Sequence, residues 1–255
     1  MQYRRRKLIQ IFFVISMLTL MAEPSMAAEP LPFRPGEKLH YTVYWTAIAA
    51  AEATLEILPM EKIDGKPAWH FVMTAKTSPL VEHIYPVYDR MDAYADAEMS
   101  HALLYKEQKK TRKIKDVSVT FDWKAQKVTY SKKEKKKPPV ALQPGAFDPL
   151  SIFYFFRMHE LTQNLEISRP VSDGKRCVMG KARVVGRQKV MIGDKEFDTW
   201  LVEPELGKIG GVFEKSPNAK LQIWVTADKR RIPVRVKSEV AVGSFTAEID
   251  SIEQK

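Results

Sequence analysis

The 255-residue chain is 45% hydrophobic and 28% charged, and its 41 Lys and Arg against 31 Asp and Glu give a formal charge of +10 at neutral pH. That composition supplies enough apolar side chains for a full core, as one large β domain or two small ones. The one cysteine, Cys177, excludes an internal disulfide, and the basic balance favours anionic partners.

Met1 to Lys7 is basic, Leu8 to Ala22 is almost wholly apolar, and Ser25-Met26-Ala27 puts small residues where signal peptidase needs them. The apolar run is short and is soon followed by Glu23 and Pro24, so residues 1–27 are expected to be a secretory signal cleaved after Ala27 rather than a membrane anchor. No cysteine lies near the cleavage point to take a lipid. Residues 28–255 are then the mature protein, a single all-β domain expected in the periplasm, with full secretion as the second address. Loss of four cations and Glu23 lowers the formal charge from +10 to about +7. Such a compartment removes nucleic acid from the expected partners and offers lipopolysaccharide phosphates, anionic headgroups and cell-wall carboxylates. Cys177, beside Val178 and Met179, reads as a small apolar core residue, intermolecular pairing being the alternative.

Along the mature chain one periodicity recurs. Leu39, Tyr41, Val43 and Trp45 alternate with polar neighbours, as do Ala51, Ala53, Leu55 and Ile57, and then Trp69, Phe71, Met73 and Ala75. These are strands with one wet face. Next come Tyr85, Tyr88, Asp89, Asp92 and Asp96, the densest polar group. Asp89 and Asp92 are conceivable paired carboxylates, but they read more simply as a strand's wet face. A lysine-rich block from Lys106 to Lys115 precedes the strand of Val117, Val119, Phe121 and Trp123, and a second block runs from Lys132 to Lys137. A hairpin around Lys124-Ala125-Gln126-Lys127 sets the two blocks side by side. Lys109, Lys110, Arg112, Lys133, Lys135 and Lys136 are therefore candidates for anionic surface contact, although such lysines also serve simply as a solvated, aggregation-resistant edge.

Asp148-Pro149-Leu150-Ser151 is a helix start, with Asp148 as cap and Pro149 at the first helical position. The helix that follows, Leu150 to Met158, is apolar almost all round and too short to cross a bilayer, so it needs cover from the sheet or from something that is not protein. Leu221, Ile223 and Val225 form a further strand. Ile232, Val234, Val236, Val240 and Val242 share one face and pair as a hairpin with Phe245, Ala247 and Ile249 across Gly243-Ser244. Asp64-Gly65, Pro144-Gly145, Asp173-Gly174, Gly193-Asp194 and Gly210-Gly211 mark turns. With no strand-helix alternation, the fold class is mainly β, a curved antiparallel sheet or open β-barrel with one short apolar helix.

Phe33 to Trp45, Tyr85 to Asp89, the Asp148 to Ser151 helix start and Trp224 to Val234 together resemble the DUF3108 family of exported bacterial proteins. The resemblance implies compartment and β character and brings no catalytic residues. It also implies a glycine soon after the Trp45 strand, where this chain has Ala49-Ala50-Ala51. Because alanine resists positive φ, a connection wider than a tight turn is expected there. The strand of Trp224, the turn at Asp228 and the return at Ile232-Pro233 bear a weaker likeness to the LolA/LolB-type periplasmic lipoprotein carriers.

His40, His70, His83, His101 and His159 are scattered without zinc-site spacing, and neither a nucleophile elbow nor a phosphate-binding glycine loop is present. No enzyme activity, cofactor or metal is expected. The leading expectation is a carrier or binding protein for a lipid-like amphiphile in envelope maintenance, with Trp45, Tyr85, Tyr88, Leu150, Phe153, Phe156 and Trp224 as ligand-contacting candidates. An interaction or scaffold protein of envelope biogenesis, binding a protein or glycan, is the alternative. An envelope hydrolase is the third.

Overall fold

The computed structural model describes residues 30–110, 114–133, 135–205, 220–240 and 243–255. The expected signal, its cleavage site, Arg112, Gly210-Gly211 and Val242 lie outside the described residues. Pro32–Lys255 forms one compact unit.

Its strands are β1 (Glu37–Trp45), β2 (Ile48–Ile63), β3 (Lys66–Thr77), β4 (Tyr88–Asp96), β5 (Ala102–Lys110), β6 (Ile114–Asp122), β7 (Lys127–Lys132), β8 (Lys135–Lys136), β9 (Val140–Ala141), β10 (Glu166–Ser172), β11 (Cys177–Ile192), β12 (Lys195–Pro204), β13 (Lys220–Thr226), β14 (Pro233–Val240) and β15 (Gly243–Gln254). All lie in one sheet ordered β10-β11-β12-β13-β14-β15-β1-β2-β3-β4-β5-β6-β7-β8, with β9 beside β7. The sheet is open. Every strand pairing in it is antiparallel, and register shifts between Val43 and Tyr44, between Leu58 and Glu61 and between Val184 and Gly186 add the local twist that curls such a sheet.

The opening falls between β10 and the β7–β9 edge, and the connection from β9 to β10 runs through it. There Ala102 N donates to Ala146 O, Phe147 N to Pro170 O and Ser172 N to Phe147 O, at 2.9, 2.9 and 2.8 Å, so two residues stitch β5 to β10. The same connection carries helix α2 (Ser151–Arg157), packed onto the inner face of the sheet. Tyr154 stacks on Phe71 at a ring separation of 3.8 Å, and Phe33 meets both Tyr154 and Trp69 edge-on. An additional single-turn helix, α1 (Pro79–Glu82), sits in the β3–β4 connection. It escapes a periodicity reading because four residues carry no repeat.

Several local expectations change. The β1–β2 turn is tight after all: Trp45 pairs with Ile48, and Thr46 takes the positive φ of 57°. Ala49 to Ala51 lie in β2, where positive φ is not required. The β14–β15 hairpin is present, but Glu239 pairs with Ser244 and Val240 with Gly243, so Gly243 and Ser244 belong to the strand. The helix spans Ser151–Arg157, shorter than Leu150 to Met158 at both ends. Asp64-Gly65 behaves as its residues demand: both take positive φ in a two-residue turn between Ile63 and Lys66.

Candidate functional site

Between α2 and the inner faces of β1–β3 and β10–β15 lies an apolar cavity of about 420 Å³. β10 and β13 present alternate residues to it, Ile167, Arg169 and Val171 from β10 and Leu221, Ile223 and Val225 from β13, while β11 contributes Gly180, Lys181 and Ala182 in succession. Small residues on β11 leave the space that larger side chains would fill. Ile152, Phe153, Phe155 and Phe156 of α2 form the opposite wall.

Three devices hold that wall in place. Asp148 Oδ1 accepts the amide protons of Leu150 and Ser151 at 2.8 and 2.9 Å, satisfying the helix start from a site with no solvent exposure. Burial pushes its carboxyl up to about 6, against the hydrogen bonds that favour the charged form. At the far end Arg157, fully buried, donates to both carboxylate oxygens of Glu37 at 2.6 and 3.0 Å. Its remaining donors reach Arg230 O and Pro32 O, so the helix C-terminus is tied to β1 and to the β13–β14 turn. The third device is the Phe71–Tyr154 stack.

Of the residues expected to touch a ligand, the structure brings Leu150, Phe153 and Phe156 together in the cavity wall. It places the other four elsewhere. Trp224 lies between the lining residues Ile223 and Val225, so its side chain takes the opposite face of β13, and its indole N–H donates to Gln188 Oε1 at 2.9 Å. Trp45, Tyr85 and Tyr88 are exposed, Trp45 at the β1–β2 turn and the two tyrosines on the β3–β4 connection and the start of β4, away from the wall. Their aromatic character suggested ligand contact, but their place at strand ends takes them out of the cavity. Arg169 was not singled out in the sequence, since Arg169-Pro170 breaks the run of apolar alternation that marks a strand.

The C-terminal ends of β1, β3, β5 and β7 share one end of the sheet, as antiparallel order requires. A second, basic hollow of about 510 Å³ opens there, lined by Lys115, Lys132, Lys135, Lys136 and Lys137, by Tyr130, and by Lys175 from the β10–β11 turn. Lys137 and Lys175 approach the Tyr130 ring to 5.5 and 5.1 Å of its centre. Gly174, with φ +80°, allows that turn to lie against Val119 and Tyr130; a Cβ there would meet Val119 at 2.9 Å. Lys133 is exposed beside the hollow. Lys109 is engaged by Asp89 at 3.4 Å and Glu107 at 2.8 Å, and Lys110 lies over the Tyr88 ring at 5.7 Å, so neither stands as a bare cation.

Asp89 and Asp92 do not pair: three residues apart on a strand, they occupy opposite faces. Asp92 instead accepts from Arg90 at 2.6 and 2.8 Å and bonds His70 Nε2 at 2.9 Å, while His70 Nδ1 meets Glu61 at 2.8 Å. Burial opposes its charge, yet the Arg90 and His70 bonds hold the Asp92 carboxyl below its ordinary value. This cluster lies on the face of β3 opposite Trp69 and Phe71 and braces β2, β3 and β4. Cys177 is half-buried against the core, and burial pushes its thiol up. Among the described residues no group of three or more His, Cys, Asp or Glu could hold a metal ion, and no helix is long and apolar enough to cross a membrane.

A family model described as a protein of unknown function, DUF3108, matches residues 40–250. No curated protein matches the chain. The crystal structure of a β-barrel-like protein of the domain of unknown function DUF1849, from Brucella abortus, superposes with a TM-score of 0.54 at 9% identity, over 86% of this chain and 97% of that one. A structure with a YmcC-like fold from Bacteroides fragilis covers 88% of this chain and 98% of its own at 8% identity, with a TM-score of 0.31. The Brucella likeness agrees with the open, barrel-like sheet and concerns the fold alone.

Proposed function

The chain belongs to the DUF3108 family of proteins of unknown function, and from that premise we propose that it is an exported, non-enzymatic carrier or binding protein for a lipid-like amphiphile, working in envelope maintenance. The observation that carries this reading is the cavity: about 420 Å³, walled by Phe153, Phe156 and the inner sheet, within the size range of small-molecule sites. A helix that is apolar almost all round is explained by it, since one side packs on protein and the other faces a space an acyl chain can fill. A filled core would have favoured a purely structural helix.

Detergent-free protein examined by native mass spectrometry, followed by solvent extraction, tests the proposal. A retained phospholipid, fatty acid or lipopolysaccharide fragment is expected, and Phe153→Asp is expected to abolish retention while the fold persists. A clean apo mass together with no uptake of added palmitate rejects it.

A second reading is favoured by a different observation. Trp45, Ile48, Leu80, Ile84 and Tyr85 are all exposed at the end of the sheet where the lysine-lined hollow also opens. Such a mixed apolar and basic surface suits an interaction or scaffold role with a protein or glycan partner, or peripheral contact with an anionic membrane. Pull-down with purified partners and vesicle sedimentation distinguish these from the carrier role.

A further inference from the structure

Four polar or charged side chains contribute to the cavity lining, and three already have partners. Tyr41 donates its hydroxyl proton to Pro233 O at 2.8 Å, Thr54 Oγ1 and Thr74 Oγ1 share a bond at 2.7 Å, and Lys181 Nζ lies 3.3 Å from a Glu166 carboxylate oxygen. Arg169 is the exception. Half-buried on the inward face of β10, it has no hydrogen-bond acceptor or acidic partner among the described residues; its guanidinium carbon instead sits 4.6 Å from the centre of the Phe155 ring. Gly180 pairs directly with it on β11, and on its other side a Cβ at Gly145 would come to 3.3 Å of Arg169 Nη1. Two glycines thus flank this arginine.

Half-buried at the cavity wall, the guanidinium has no internal partner to give up before it meets an anion, and the Phe155 ring face helps hold it in position. A guanidinium fork matches the oxygens of carboxylate or phosphate, which it binds through two parallel hydrogen bonds. We propose that Arg169 is the head-group anchor of the cavity, and that the ligand is a single-chain amphiphile ending in a carboxylate or phosphate. The chain lies against Phe153, Phe156 and the β13 face, and the head reaches the guanidinium beside Phe155. One chain is specified because about 420 Å³ falls in the lower half of the range of ligand pockets. The proposal rests on the carrier reading above and adds the charge and the position of the head. It also separates the ligand's head from the lysine-lined hollow, which serves a different contact.

The test uses three probes of equal chain length below their micellar concentrations: palmitate, 1-palmitoyl lysophosphatidate and hexadecanol. Calorimetric titration compares the native chain with Arg169→Gln and Arg169→Lys, each checked for an unchanged circular dichroism spectrum and thermal midpoint. Palmitate or lysophosphatidate is expected to bind at least tenfold more weakly to Arg169→Gln, with partial recovery in Arg169→Lys and hexadecanol unchanged within twofold. The anion that loses more identifies the head. Equal losses for hexadecanol and the anions, or no loss for either anion, overturn the anchor role while the cavity still binds. Failure of all three probes on the native chain overturns the carrier reading and this inference with it.

Discussion

Arg157 and Glu37 form a buried ion pair that ties the cavity wall to the sheet, and 120 positions separate them in sequence. Removing one partner strands a charge in the interior, a loss of about 3–5 kcal/mol, whereas replacing both with apolar groups of similar volume is near neutral. Glu37→Gln and Arg157→Met are expected to lower unfolding stability in urea by that amount. The double variant Glu37→Leu/Arg157→Met should regain most of it, and additive losses in the double variant would sink this account. Asp148 gives a pH signature. Its folded value of about 6 exceeds the ordinary 3.8, so between those values the native state holds a proton that the unfolded chain releases. Its contribution is fully present below about pH 4 and is lost as pH rises through about 6, amounting to about 3 kcal/mol. Asp148→Asn keeps an oxygen for the two amide bonds and should remove that slope from stability measured across pH 4 to 7. Asp148 was legible in the sequence because a cap is a local device. Arg157 was not, because nothing near it announces a partner on β1.

At the scale of the helix, neighbouring side chains have unlike surroundings. Both touch the cavity, but Phe155 is buried against Phe147, with Arg169 and His159 against its ring, while Phe153 is only partly buried. Phe155→Ala should therefore cost about 3–5 kcal/mol in chemical denaturation, and Phe153→Ala clearly less, since one side of Phe153 has no packing to lose. Equal costs would mean that the cavity wall is packed as tightly as the core. The all-round apolar pattern of Ile152 to Phe156 showed that cover was required. It could not show that one part of the cover is Phe71 and Phe33 and another part is empty space, because periodicity assigns residues to a face without saying what stands opposite. The same limit explains Trp45, Tyr85 and Tyr88, whose residue type suits a binding wall and whose turn positions take them elsewhere.

Across the whole sheet, local alternation and turn chemistry made most strands and their antiparallel hairpins readable. Long-range pairings were beyond them: Leu39 opposite Ile252 and Tyr41 opposite Ile249 join the first strand to the last, and no hairpin signal reports that. The strand order has a kinetic consequence. Both free edges of the sheet, β10 and β7–β9, lie in the middle of the sequence, whereas the first and last strands sit side by side within it, with Lys255 N donating to Gly36 O at 3.2 Å. Folding in the natural order must close a loop of nearly the full chain before β1 meets β15, and closing distant contacts is slow. Joining Lys255 to Pro32 through a short glycine linker and reopening the chain between the exposed Thr162 and Gln163 would leave every neighbouring strand consecutive except the β7–β9 pair. Such a permutant is expected to reach the same sheet with a faster refolding phase in stopped-flow fluorescence. An unchanged rate would place the slow step at the seam around α2 and acquit the meeting of the two chain ends.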